Sequence, residues 1–280
     1  MKQKICFFIH TEYHLLLTLY AASVKYSNLE QFVIEIILKR TSKSNRLKQE
    51  LDLSFLPYNI RFLDIDLDLH SKLKDQDKSN LEEVLSIQFS EFNFFQEQDP
   101  ISIILINEFK RRGTKINLYQ DGLKPYIAHT MRLSPSLVLK NIKQNSWIRK
   151  NGYPVSDYWS FINCKMYGFL SGIDALHLTF PEAYVNWNNL PIETLAPKFT
   201  DDFIYLLKRV FKWEDSLLTD KKGVIFFMNQ PMHDDGSFEV NLLKKLQQNY
   251  PEARIYIKNH PLTPQFKIDA YKQLEKVTII

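Results

Sequence analysis

Lys115-Ile116-Asn117-Leu118-Tyr119-Gln120-Asp121-Gly122 is a short apolar run that ends in a turn carrying a carboxylate, and its shape is repeated at Ala253-Arg254-Ile255-Tyr256-Ile257-Lys258-Asn259-His260-Pro261. Runs of this length bounded by turn residues read as buried strands of a parallel sheet. Open α/β sheets collect their ligand contacts just beyond the carboxyl ends of such strands. Asp121 and His260 are therefore a candidate general base and general acid. Pro261 biases His260 toward extended backbone. In an extended segment residues i and i+2 share a face, so Lys258 and His260 are expected to point together at an anionic ligand.

Other strand ends carry polar groups too. Ile5 to Ile9 reads as the first strand and runs into His10-Thr11-Glu12-Tyr13-His14. There Thr11 either caps the following helix or touches a ligand, and His14 is either the polar edge of that helix or a ligand contact. Gly223 to Met228 reads as a strand and delivers Asn229-Gln230-Pro231, with Gln230 the better candidate for ligand contact. Asp235, in Asp234-Asp235-Gly236, fits a helix cap. Asp121-Gly122 is also a common turn pair, so a plain turn is the competing reading for Gly122. His10 and His14 lack a third metal ligand, and no metal site is expected.

Apolar runs alternate with helical patterns along most of the chain, which predicts an α/β fold with parallel sheets and crossover helices. Further strands are expected at Phe32 to Leu38, Ile60 to Ile65, Ile87 to Phe95 and Asp174 to Thr179. Helices are expected at Leu15 to Tyr26, Ser44 to Leu53, around Leu81 to Leu85, from Pro100 to Arg112, and at Pro135 to Lys143. Beyond the middle of the chain, helices are expected at Asp201 to Trp213, Phe238 to Tyr250 and Ile268 to Leu274, with a strand opening at Val277 to Ile280. The Trp, Asn and Pro residues of 181–197 break the periodicity and read as a linker. This gives an N-terminal domain over 1–190 and a C-terminal one over 191–280.

The composition agrees with a folded α/β protein. The chain has 280 residues, 45% hydrophobic and 24% charged, enough for one large or two ordinary domains. Seven glycines leave no glycine-rich phosphate loop. A net charge of +4 without a recognisable module argues against nucleic-acid binding. Cys6 and Cys164 read as free thiols. With no signal-peptide pattern and no bilayer-length apolar run, the expected location is cytoplasmic. Lys140, Lys143, Arg149 and Lys150, interleaved with Leu137, Val138, Leu139, Ile142, Trp147 and Ile148, form a pattern that could rest on an anionic membrane. Peripheral contact with the inner membrane face is therefore part of the expectation.

Taken in order, Thr11-Glu12-Tyr13-His14-Leu15-Leu16, Tyr119-Gln120-Asp121-Gly122, Asn229-Gln230-Pro231 and Lys258-Asn259-His260-Pro261 resemble the motif series of bacterial sialyltransferases of glycosyltransferase family 52, related to the polysialyltransferases. The resemblance implies a GT-B fold, two Rossmann-like domains facing a cleft, and inverting transfer of sialic acid from CMP-sialic acid to a galactoside without a metal or other cofactor. It implies that Asp121 is the base on the acceptor hydroxyl and that His260 assists departure of the CMP phosphate. Gln230, Pro231 and Lys258 would line the nucleotide cleft. The partners implied are a nucleotide-sugar donor and an oligosaccharide or glycolipid acceptor of a bacterial surface glycan. Gln120 departs from the second acidic residue of many relatives. The family also continues past the His-Pro motif to a serine/threonine pair, so the second domain is expected to be C-terminally incomplete. Two alternatives stay open: a transferase using another nucleotide sugar, and a truncated or degenerate relative that binds a nucleotide or a partner without turnover. The acceptor, the linkage and the oligomeric state are not encoded in any of these motifs.

Overall fold

The computed structural model describes residues 2–41, 51–122, 124–127, 135–155, 167–170, 172–186, 189–212, 224–228, 237–259 and 263–279. The chain divides into two compact units, Met1–Trp213 and Glu214–Ile280. In the first unit β1 (Gln3–Ile9), α1 (Glu12–Lys25), β2 (Phe32–Arg40), β3 (Asn59–Asp64), α2 (Asp75–Ser86), β4 (Glu91–Phe94), α3 (Pro100–Arg111), β5 (Lys115–Tyr119), α4 (Lys124–Ile127), α5 (Pro135–Lys150), β6 (Ala175–Leu178), β7 (Ile192–Thr194) and α6 (Asp201–Val210) follow one another. The seven strands form one sheet in the order β3-β2-β1-β4-β5-β6-β7, and every pairing is parallel.

Why β1 sits in the interior of the sheet follows from its side chains. Ile5, Cys6, Phe7, Phe8 and Ile9 are all fully buried, as a parallel strand covered on both faces must be. The period of two sends Cys6 and Phe8 into one core layer, with Phe92, Phe109 and Trp147, and sends Ile5, Phe7 and Ile9 into the other, with Leu15, Leu19 and Phe203. Because the chain winds outward from β1 to β2 and β3, then returns to β4 on the other side, the strand order reverses between β1 and β4. That is where an open sheet forms a crevice.

The helices begin where their caps say they should. Thr11 has extended backbone and its Oγ1 accepts the His14 N–H at 3.2 Å, so α1 starts at once after β1. Asp99 caps α3 by accepting the Ser102 N–H at 2.9 Å, with Pro100 in the first turn. Gly113, at φ +81°, supplies the left-handed turn that ends α3.

The first unit runs on to Trp213, so the boundary expected at 190/191 is displaced. The 181–197 stretch lacks periodicity because its one strand is three residues long, yet β7 pairs with β6 as the seventh strand. α6 then buries Phe203 and Val210 in the core layer of α1, with the Phe203 ring edge-on to Tyr20 at 5.5 Å. The helix expected near Ser44 to Leu53 falls mostly outside the described residues, and 51–53 are not helical.

The second unit contains β8 (Val224–Met228), α7 (Ser237–Asn249), β9 (Arg254–Lys258), α8 (Gln265–Lys272) and β10 (Val277–Ile279). Its parallel sheet has the order β10-β9-β8, and Leu243, Ile255, Ile257 and Tyr271 form its core. Within it Lys267 is fully buried and placed 3.1 and 3.2 Å from the two carboxylate oxygens of Glu239. Among the described residues no helix is long and apolar enough to cross a membrane.

The aromatic layer under β4 gives a direct test of this packing. Phe109 is fully buried, with its ring 5.3 Å from Phe89 and 5.0 Å from Phe92. Phe109→Ala is expected to cost about 3–5 kcal/mol of stability by urea denaturation. A loss below about 1 kcal/mol would contradict this core.

Candidate active site

The loops after β1, β4 and β5 converge at the carboxyl edge of the first sheet. His14, in the first turn of α1, is fully buried and lies flat on the Phe95 ring, with centroids 4.3 Å apart and planes 7° from parallel. Its Nδ1 accepts the His10 backbone N–H at 3.2 Å. That leaves the ring proton on Nε2, which stands 3.1 Å from Asp121 Oδ1 and donates to it. Asp121 is the partner with access to solvent, its side chain 29% exposed. Among the described residues Asp121 Oδ2 accepts no hydrogen bond.

This arrangement decides which member of the pair is accessible. Both nitrogens of His14 are engaged and its ring is shut in, so it positions and polarises. Asp121 has the free oxygen. Burial works to raise the Asp121 carboxyl, but the His14 hydrogen bond and the nearby Lys124 ammonium outweigh it and hold the group below the usual carboxylate range. Gly122 follows at φ +58°, a conformation that favours glycine, and a Cβ there would meet nothing within 4 Å. Glycine is favoured in the turn that follows Asp121, and no described residue crowds it.

Gln120 explains its own departure from an acidic residue. Its Nε2 donates to Tyr13 Oη at 2.5 Å, while its Oε1 accepts from Tyr126 Oη and from the Thr179 N–H, both at 2.7 Å. The carboxamide offers donor and acceptor together in this buried position without a charge. A carboxylate could accept from Tyr13, Tyr126 and the Thr179 N–H, but it would bring a charge into this buried position.

Two further carboxyl groups lie nearby, and neither was singled out from the sequence. Asp99 pairs with the buried Lys39 ammonium through Oδ1, and its Oδ2 accepts from the Ser102 N–H and hydroxyl. Burial opposes its charge, but Lys39 prevails and keeps the group far below the carboxylate range. His10 Nε2 stands 3.5 Å from Asp99 Oδ2, too long for a well-made hydrogen bond, and burial lowers the ring's affinity for a proton. Glu97 is fully buried and accepts the Gly168 and Phe169 N–H groups at 3.2 and 3.1 Å. Burial pushes it up to about 7 in spite of those bonds and Lys124, whose Nζ is 3.9 Å away. The one sequence signal for these groups was the polar run Gln96-Glu97-Gln98-Asp99-Pro100 after a strand.

Asp121 and Asp99 open onto a cavity of about 530 Å³ with Gln96, Gln98, Gln144, Lys124, Lys140, Leu67, Leu69 and Pro100. That volume lies in the range of small-molecule sites, roughly 300–1,000 Å³. Its lining of carboxylates, amides and ammonium groups with apolar rails suits a polyol.

No protein-family model matches the chain and no curated protein matches it in sequence. Its fold is similar to that of UDP-N-acetylglucosamine 2-epimerase from Rickettsia bellii, with a TM-score of 0.54 at 14% identity over 100% of this chain and 69% of that one. It is similar to the sialyltransferase from Photobacterium damsela, with a TM-score of 0.51 at 10% identity over 100% of this chain and 66% of that one. A third likeness is to UDP-GlcNAc 2-epimerase from Neisseria meningitidis bound to UDP-GlcNAc, with a TM-score of 0.51 at 10% identity over 99% of this chain and 72% of that one. The fold is GT-B. The chain spans about two thirds of the length of these GT-B structures.

Of the residues expected from the sequence, the GT-B first unit brings Thr11, His14, Asp121 and Gly122 together. Thr11 contributes as the cap of α1 and His14 as the support of Asp121, so both act through the fold. Lys258 is exposed at the end of β9 in the second unit. Asn229, Gln230, Pro231, His260 and Pro261 lie outside the described residues, as does Cys164.

Glu97 makes the loop network measurable. The folded chain binds its proton more tightly than an unfolded chain, whose ordinary value is 4.5 against about 7 here. Its contribution is therefore fully present below the lower value and is lost as pH rises through the higher one, a change of about 3 kcal/mol. Denaturant midpoints are expected to fall across that window, and Glu97→Gln is expected to flatten the profile. A wild-type midpoint indifferent to pH over the same window would rule out this assignment.

Proposed function

We propose that this chain is an inverting glycosyltransferase of the family 52 sialyltransferase type, moving sialic acid from CMP-sialic acid to a galactoside of a bacterial surface glycan. The observation that carries the reading is Asp121, held through one oxygen by the His14 Nε2–H at 3.1 Å and lining a cavity of about 530 Å³. The ordered motifs supply the donor. The GT-B fold is compatible with it.

In this reading the acceptor hydroxyl lies against Asp121 Oδ2. As the bond from the anomeric carbon to the CMP phosphate oxygen breaks, the hydroxyl oxygen attacks that carbon from the opposite face and its proton passes to Asp121. The electron pair leaves with CMP. A carboxylate held low is a weak base, which suits a late proton transfer, when the new bond has already made the hydroxyl acidic. The His14 hydrogen bond keeps Asp121 ionised and aimed, a preorganised arrangement that needs no movement during reaction. On the donor side, His260 is assigned to the departing phosphate and Lys258, Asn229, Gln230, Pro231 and Pro261 to the nucleotide. No metal or other cofactor enters the scheme.

Asp121→Asn is expected to lower kcat for transfer to lactose by about 10²–10⁴ while far-UV circular dichroism stays unchanged. His14→Phe keeps the stack on Phe95 but removes the donor. Burial then raises the Asp121 carboxyl unopposed by that bond, and the acid limb of the kcat/KM profile is expected to move to higher pH. Full transfer by Asp121→Asn would remove Asp121 from the role of base. Transfer from UDP-sugars but not from CMP-sialic acid would reassign the donor, and CMP affinity without any product would make the chain a binding protein.

A further inference from the structure

α5 divides its side chains between two environments. Trp147 and Ile148 are buried in the core, Gln144 and Asn145 are buried beside them, and Trp147 Nε1 donates to the Ser71 carbonyl at 2.7 Å. Gln144 Nε2 donates to the Gln98 carbonyl at 2.8 Å, so the helix is fastened to the loop after β4. The opposite face is not covered by any described residue. Leu139 and Ile142 are 57% and 47% exposed, and Lys143 and Lys150 fall on the same side at helical spacing. Lys140 and Arg149 flank them, and α5 contains no acidic residue.

We infer that this face of α5 docks on an anionic lipid surface. Two exposed aliphatic side chains among four cations combine the terms that hold a helix in the bilayer interface: apolar burial at the acyl boundary and attraction to acidic headgroups. A nucleic acid would answer the charge but leave Leu139 and Ile142 in water. A second copy of the chain would bring the same four cations against themselves.

The docking has a consequence for the site. Lys140 and Gln144 of α5 line the cavity that holds Asp121. The lipid surface then runs along one wall of that cavity, and an acceptor glycan carried on a lipid reaches Asp121 from the surface to which the protein is bound. The docking itself is independent of the sugar chemistry.

Co-sedimentation of the full chain with vesicles tests this without any assay of transfer. Binding is expected to vesicles of phosphatidylcholine with an equal share of phosphatidylglycerol, and little to phosphatidylcholine alone. Raising NaCl to about 0.5 M is expected to release the protein, because the exposed charges are then screened. Leu139→Ser with Ile142→Ser, and separately Lys143→Glu with Lys150→Glu, are each expected to weaken partitioning about fivefold or more. None of these residues lines the cavity, so both variants should keep their circular dichroism and their transfer to a soluble oligosaccharide. Equal binding to both vesicle types, no binding to either, or unchanged binding by both variants would overturn the inference. So would a concentration-dependent dimer in analytical ultracentrifugation that Leu139→Ser with Ile142→Ser dissolves, because the face would then belong to a second copy.

Discussion

The hydrogen bond from His14 to Asp121 joins residues 107 positions apart and depends on almost everything else in the first unit. It exists only if β1 and β5 run parallel with β4 between them, so that the first turn of α1 and the turn after β5 open at the same edge. The sheet order secures that. The Thr11 cap fixes where α1 begins, the His10 N–H fixes the tautomer, Phe95 fixes the ring plane, and Gly122 lets the chain turn away behind the carboxylate. Each is a local event, and together they leave one oxygen of Asp121 without a hydrogen-bond partner among the described residues.

Around this pair the buried polar groups divide into those that are locked and one that is available. Asp99 is neutralised by Lys39 and consumed by its cap. Glu97 is tied to the 168–169 backbone, and Gln120 is satisfied from three sides. Removing one partner from such a network leaves an uncompensated buried group, which costs far more than the pair gains, so the network constrains geometry more than it adds stability. The site is thus held fixed around His14 and open on the side of the cavity. α5 links that opening to the outer surface, because the same helix supplies a cavity wall and the basic, partly apolar face.

Much of the fold was legible in the sequence because a buried parallel strand cannot disguise its composition. Ile5 to Ile9, Phe32 to Leu38 and Lys115 to Tyr119 announce themselves as continuous apolar runs, and Pro100 with Gly113 brackets α3. The domain boundary was not legible: three residues of β7 carry no period, and the burial of Phe203 and Val210 on α1 is a tertiary fact. For the site, Asp121 and His14 could each be read as candidates at strand ends, but not as a pair, because their contact depends on strand order. Asp99 and Glu97 escaped notice since a helix cap and a buried backbone clasp look like ordinary loop polarity. The basic, apolar pattern of 137–150 was read as one surface, whereas packing takes Trp147 and Ile148 inward and leaves Leu139 and Ile142 outside.

The His14–Asp121 pair requires the ring proton of His14 on Nε2. Long-range proton–nitrogen correlation spectra of the histidine side chains, assigned through His14→Phe, measure this directly. The hydrogen bonds of the ring predict a protonated Nε2 and an unprotonated Nδ1, with the Nε2–H signal displaced in Asp121→Asn. A ring protonated on Nδ1, or a His14 signal indifferent to the Asp121 substitution, would contradict the pair.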